Sequence, residues 1–194
     1  MSDPAAPDGR IRCGWVPTDS SPNGMLYREY HDTEWGMPLR GTVALFERVS
    51  LEAFQSGLSW LTILRKREGF RRAFEGFEVE KVARFTDRDV ARLMEDAEIV
   101  RNRAKIEATI NNARAIADLD VELSDLLWSF APPARPRPAE LSAVPAVTPE
   151  STAMAKELKR RGFRFVGPTT AYALMQATGM VDDHTASCWV PARG

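Results

Sequence analysis

Histidine and cysteine are the scarcest chemistry-bearing residues in this 194-residue chain, with two of each, at positions 13, 31, 184 and 188. Long apolar runs are missing too. None approaches the ~18 residues that a membrane span requires. The opening stretch MSDPAAPDGR has no basic start followed by an apolar segment, so no secretion signal is expected. Residues 1–11 read as a disordered tail and 12–194 as one folded domain. The expected location is cytoplasmic, where a disulfide between Cys13 and Cys188 would be disfavoured. Charge of one sign is also lacking. With 26 basic and 27 acidic residues the formal net charge is −1, so any attraction to nucleic acid must come from how charge is distributed. What remains, 44% hydrophobic and 27% charged residues, is the composition of an ordinary globular protein able to bury a core.

The periodicity of that apolar material is helical. Leu45, Val49 and Ala53 recur at four-residue spacing, with Phe46 widening the stripe, and predict a helix over 43–57. WLTILRKREGFRRAF continues after a break at 57–59. DRDVARLMEDA and NRAKIEATINNARAIADL are amphipathic, and helices are predicted again at about 150–161 and 168–178. Segment 131–149 contains six prolines and reads as a long connector without regular structure. No strand alternation and no repeat is visible. The predicted class is all-α, with an N-terminal coil of about 30 residues that something must hold.

The scarce residues offer a way to hold it. On a helix, His184 and Cys188 would stand at i and i+4 on one face, able to reach one ion. Cys13 and His31 complete a Cys₂His₂ set, the composition of a closed tetrahedral structural zinc site. Such a site would tie the chain ends together, and its lack of an open position argues against a zinc hydrolase. The competing reading makes the cysteines small buried hydrophobes and leaves the histidines in local hydrogen bonds.

Other positions read two ways. Basic residues cluster in RKREGFRR, RNRAK and KELKRRGFR, as solvated helix faces or as contact surfaces. The turn between Gly162 and Gly167 is either an αα-hairpin with a glycine cap or a backbone approach for a phosphate at a helix N-terminus. Glu52 falls on the apolar face of its helix, so it is paired with Arg48 or meets a ligand. Trp15, Tyr27, Tyr30 and Trp60 follow no single stripe and are core or site. Leu58 is a core leucine or an exposed one with a task.

Taken together, RCGWV (12–16), YREYHDTEWG (27–36), LFERVSLEAFQSGLSW (45–60), KRRGFRFVGPTTAYALMQATGMVDDH (159–184) and Cys188 closely resemble the DNA-3-methyladenine glycosylase I family over about residues 12–190. The resemblance implies a helix-hairpin-helix DNA repair glycosylase, with the hairpin at about 150–180. It also implies a zinc-bearing lobe formed by about 12–40 and 181–190. Cys13, His31, His184 and Cys188 fall on the family's ligand positions for one structural zinc ion. The resemblance also places Glu52 in the base pocket, accepting from the amine of a flipped adenine, with Trp15, Tyr30 and Trp60 around it and Tyr27 close by. Leu58 matches the plug that fills the gap left by the extruded nucleotide, and Gly162, Gly167 and Thr169 belong to the DNA-contacting hairpin.

The implied activity is hydrolytic release of N3-methyladenine from alkylated double-stranded DNA by a monomer, with free 3-methyladenine as product and no membrane partner. Thr169 stands where strand-cutting relatives carry a lysine nucleophile, so no lyase activity is expected. The superfamily's usual aspartate falls near Asp182, for which a structural role, capping a helix that carries His184, is the expectation. The alternative function is a non-catalytic zinc-stapled DNA-binding module, which would have no use for a buried Glu52 inside a ring of Trp and Tyr.

Overall fold

The computed structural model describes residues 7–192. Helix begins earlier than the expected 30-residue coil allows. Helix α1 (Pro22–Thr33) starts where the Ser21 hydroxyl accepts from the Gly24 amide and Pro22 supplies a pre-set φ at the first position. Its inward face is built from Gly24, Tyr30 and His31, all buried, with Leu26 only half-buried, and so carries no conventional apolar stripe. The coil expectation is therefore corrected for residues 22–33.

Next in the chain come α2 (Thr42–Gln55) and α3 (Trp60–Ala73), then a 3₁₀ turn at Glu75–Phe77 and α4 (Val79–Ala83). These are followed by α5 (Asp87–Glu95), α6 (Arg103–Ala117) and α7 (Leu123–Trp128). A second 3₁₀ turn at Leu141–Ala143 interrupts the proline-rich connector, and the chain ends with α8 (Pro149–Arg160) and α9 (Pro168–Ala177). No strand occurs among the described residues, in accord with the all-α expectation. No helix among them is long and apolar enough to cross a membrane.

Helix α2 is the axis of the packing. Leu45, Phe46, Val49, Leu51, Ala53 and Phe54 are all buried, and α3, α4, α6, α7 and α9 pack around them. An aromatic stack of Phe54, Phe70, Phe74 and Phe77, with centroids 4.6–6.3 Å apart, fills the space between α2, α3 and the first 3₁₀ turn. A second, smaller cluster gathers Cys13, Cys188 and Val190 against Trp15 and Trp35, joining the two ends of the chain. Of the expected tail, residues 1–6 lie outside the described residues. Arg10 stacks its guanidinium 3.9 Å above Trp189, and Arg12 binds Asp8 and Asp32.

The turn between α8 and α9 requires glycine at one of its two ends. Gly162 has φ +89°, a region open to glycine and strained for other residues. Asn112, buried on α6, fixes the turn by donating to the Arg164 carbonyl and accepting from the Arg164 amide, while Asn111 donates to the Gly162 carbonyl at 2.7 Å.

Candidate functional site

A cavity of about 460 Å³ opens between α1, α2, α3, α9 and the proline-rich connector. Five aromatic rings line it: Trp15, Tyr27, Tyr30, Trp35 and Trp60. Tyr30 lies 5.3 Å from Trp60, and Trp15 lies 5.9 Å from Tyr27 and 5.1 Å from Trp35, so the rings brace one another. Helix α1 supplies the tyrosines at 27 and 30, one turn apart. The Tyr27 hydroxyl accepts from the Leu61 amide at 3.1 Å, which satisfies a free N–H in the first turn of α3. The Trp60 indole N–H is buried with no acceptor among the described residues.

Glu52 enters this ring from α2 and is only 6% exposed. It is not the direct i−4 ion pair considered from the sequence. Arg48 donates instead to the Tyr30 hydroxyl at 2.8 Å and lies 3.6 Å from Glu34. Burial pushes the Glu52 carboxyl up to about 7, with the Arg48 charge pulling the other way. Burial likewise holds the Tyr30 phenol well above its usual range.

A second buried carboxylate reaches the cavity, and it is Asp183, not Asp182. Asp183 accepts from Tyr172 at 2.5 Å, Arg135 at 2.8 Å and Gln176 at 3.0 Å. Asp182 turns away. It accepts from the Arg137 guanidinium at 2.9 Å and from the His184 amide at 3.3 Å. The proline-rich connector therefore does more than span. Leu141 and Val144 form part of the cavity wall, and Arg135 and Arg137 tie the connector to the 182–183 segment.

Behind Trp15 and Trp35 the four scarce residues meet. Donor atoms of Cys13, His31, His184 and Cys188 all lie within 4.8 Å of one another, and all four residues are buried. The expectation that His184 and Cys188 share a helix is corrected, because residues 181–190 form turns. A bend closed by the Cys188 amide on the Thr185 carbonyl at 2.9 Å brings them together instead.

Sulfur-to-nitrogen separations are 3.6 Å for Cys13–His184 and 3.5 Å for both Cys188–His184 and Cys188–His31. A tetrahedron with M–S ≈ 2.3 Å and M–N ≈ 2.0–2.1 Å has S···N edges of about 3.6 Å. The cluster therefore has the donor set of a closed metal site, and three of its six edges have the length such a site requires. Its surroundings fit as well. His31 Nδ1 meets Asp32 at 2.8 Å, His184 Nε2 meets the Trp35 carbonyl at 3.2 Å, and the Thr185 amide donates to the Cys13 sulfur at 3.3 Å.

Comparison with known proteins accords with this arrangement. A profile of the methyladenine glycosylase family matches residues 20–191. DNA-3-methyladenine glycosylase 1 of Escherichia coli strain K12 is 46% identical over 182 residues, covering 91% of this chain and 95% of that protein. The chain belongs to the methyladenine glycosylase family. A second relative, the DNA-3-methyladenine glycosylase of Haemophilus influenzae, is 43% identical over 182 residues, covering 91% and 96%. The crystal structure of a 3-methyladenine DNA glycosylase I superposes with a TM-score of 0.87 at 43% identity, covering 93% of this chain and all of that one. A Staphylococcus aureus structure described as the basis of 3-methyladenine recognition gives 0.84 at 38% identity, covering 91% and 96%. As a member of the family the chain is an enzyme, an N-glycosyl hydrolase.

Within this methyladenine glycosylase, the four expected aromatic residues and Glu52 all line one cavity. Leu58 does not line it. Leu58 is 41% exposed at the rim, one residue before Ser59 and Trp60, which do. Gly162, Gly167 and Thr169 are exposed around the α8–α9 turn. Gly167 has an ordinary φ of −85°, and a Cβ there would meet open space, so nothing in the fold itself calls for glycine.

Several residues of the basic runs are paired with acids of the same chain, at its surface or partly buried. Arg160 and Arg161 pair with Glu157, Arg67 with Glu34, and Arg71 with Glu47. Sequence reasoning missed Trp35, Gln176, Asp183, Tyr172 and Arg135, and considered Arg48 only as a partner for Glu52. Of these, Asp183 carried a signal in lying next to the expected ligand His184; Arg135, inside a proline run, carried none.

Proposed function

We propose that the protein flips N3-methyladenine out of alkylated double-stranded DNA and hydrolyses its N-glycosidic bond, releasing free 3-methyladenine. The observation that carries this reading is the aromatic cavity closed around the buried carboxylate of Glu52. Methylation at N3 gives the base a positive charge. Trp15, Tyr27, Tyr30 and Trp60 offer ring faces that attract a cation, and Glu52 accepts from its exocyclic amine. A cation in the pocket also draws the Glu52 carboxyl back toward its ionised form.

Because the base departs neutral, it needs little protonation. Water adds to the sugar carbon as the bond to the base breaks, and the released proton goes to solvent. The negative field of Glu52 favours the oxocarbenium-like sugar of that transition state. Thr169 offers no amine for a Schiff base, so the reaction stops at base release without strand cleavage.

Leu58 is suited to fill the gap in the duplex, being exposed beside the cavity mouth. Gly162, Gly167 and Thr169 would meet phosphates through the helix-hairpin-helix formed by about 150–180, and bare backbone at Gly167 suits that approach. Cys13, His31, His184 and Cys188 would hold one zinc ion, which supplies no open position for chemistry and joins the lobe formed by about 12–40 and 181–190. Asp182, bonded to the His184 amide, serves that lobe and not the cleavage step. We take the enzyme to act as a cytoplasmic monomer.

Base release from methylated duplex DNA tests the reading, with liberated bases separated by chromatography. Wild-type protein should free 3-methyladenine, borohydride should trap no covalent adduct, and Glu52→Ala should lower kcat/KM at least tenfold while staying folded. Absence of any released base from folded, metal-loaded protein would refute it.

A further inference from the structure

Gln176 sits on α9 at the wall of the base cavity, and its amide is not free to turn. Its Nε2 lies 3.0 Å from Asp183 Oδ2. That oxygen also takes the Tyr172 hydroxyl at 2.5 Å, while Asp183 Oδ1 takes the Arg135 guanidinium at 2.8 Å. Arg135 donates to the Tyr172 oxygen as well, at 2.6 Å, which turns the phenolic hydrogen toward Asp183. Asp183 is 3% exposed and is met by donors on both oxygens. A carboxylate so placed accepts only the NH₂ end of a carboxamide. The other end, Oε1, is thereby fixed as an acceptor, and it has no hydrogen-bond partner among the described residues.

We propose that the Gln176 side-chain oxygen is a second acceptor for the exocyclic amine of the flipped base, beside Glu52, and that Asp183 is the positioning residue that orients it. The inference rests on the glycosylase reading above. An adenine amine carries two N–H donors, and the cavity wall then presents two acceptors. An oxo group at the same ring position would bring lone pairs against both, leaving buried acceptors unpaired. Two acceptors thus select a 6-aminopurine over a 6-oxopurine, a distinction that ring stacking and positive charge cannot make.

Methylated duplex DNA containing both N3-methyladenine and N3-methylguanine provides the test, since both bases are cationic and one is 6-oxo. The readout is the ratio of kcat/KM values for release of the two. Gln176→Met keeps the length of the side chain and removes the acceptor, and it should lower that ratio about tenfold. Asp183→Asn lets the Gln176 amide turn over and present N–H to the base. It should shift the ratio the same way with metal content and folding unchanged, which a merely structural Asp183 would not do. A ratio unchanged in Gln176→Met, with wild-type protein releasing 3-methyladenine, overturns the proposal alone. Wild-type protein that releases neither base overturns the glycosylase reading and this inference with it.

Discussion

Glu52 occupies a position where a carboxylate destabilises the empty protein. Its carboxyl titrates near 4.5 in its ordinary state and near 7 when buried in the folded chain. Between those values the folded protein binds more protons than the unfolded chain, so stability falls as pH rises through that window. Below it the carboxyl is neutral in both states and the penalty vanishes. Glu52→Gln should therefore be more stable than wild type at pH 8, by up to about 3 kcal/mol, with the difference closing toward pH 4.5. Denaturant unfolding at several pH values checks this, and equal stabilities at pH 8 would argue against a buried, titrating Glu52. The position of Glu52 on the apolar face was legible in the four-residue spacing of its helix. Its escape from Arg48 was not, because the competing partners Tyr30 and Glu34 lie on another part of the chain.

At the scale of elements, Lys105 shows how one helix positions the end of another. Its ammonium is buried near the start of α6 and donates to the carbonyls of Phe54 and Ser56, at 2.8 and 2.5 Å, where α2 runs out of its own donors. No carboxylate is among its hydrogen-bond partners, and burial lowers its pKa. The next residues are Gly57, at φ +80°, and Leu58, so the rim of the cavity hangs from this contact. Lys105→Met should destabilise the protein by about 2 kcal/mol, the order expected when buried carbonyls lose a donor. It should also lower kcat/KM at temperatures where the variant remains fully folded. A variant as active as wild type there would show that the rim does not depend on Lys105.

Helices with leucine, isoleucine and phenylalanine stripes were legible in the sequence, and α6, α8 and α9 fall within a residue or two of their expected ranges. Helix α1 was not, because tyrosine and histidine form its buried face. The short α4 and α7 were missed because five or six residues hold too little periodicity to read. The ligand pair at 184 and 188 was found from the right residues on the wrong geometry, since a turn and a helix can both bring positions four apart together.

Across the whole molecule, the buried cluster of two cysteines and two histidines brings residues 13 and 31 against 184 and 188, closing a long loop of chain. In protein loaded with metal, removal of the ion by a strong chelator should lower Tm by several degrees and change tryptophan fluorescence, because Trp15 and Trp35 pack on the cluster. Calorimetry beside metal analysis checks this, and an unchanged Tm in metal-free protein would remove the stabilising role. The closure also has a consequence for the order of events during synthesis. The rings at 15, 27, 30 and 35 are made first, whereas Gln176, Asp183 and the second pair of the buried cluster, His184 and Cys188, follow only after α8 has been made. One part of the cavity wall must wait for the other, so a growing chain that has not yet reached Asp183 holds no complete cavity.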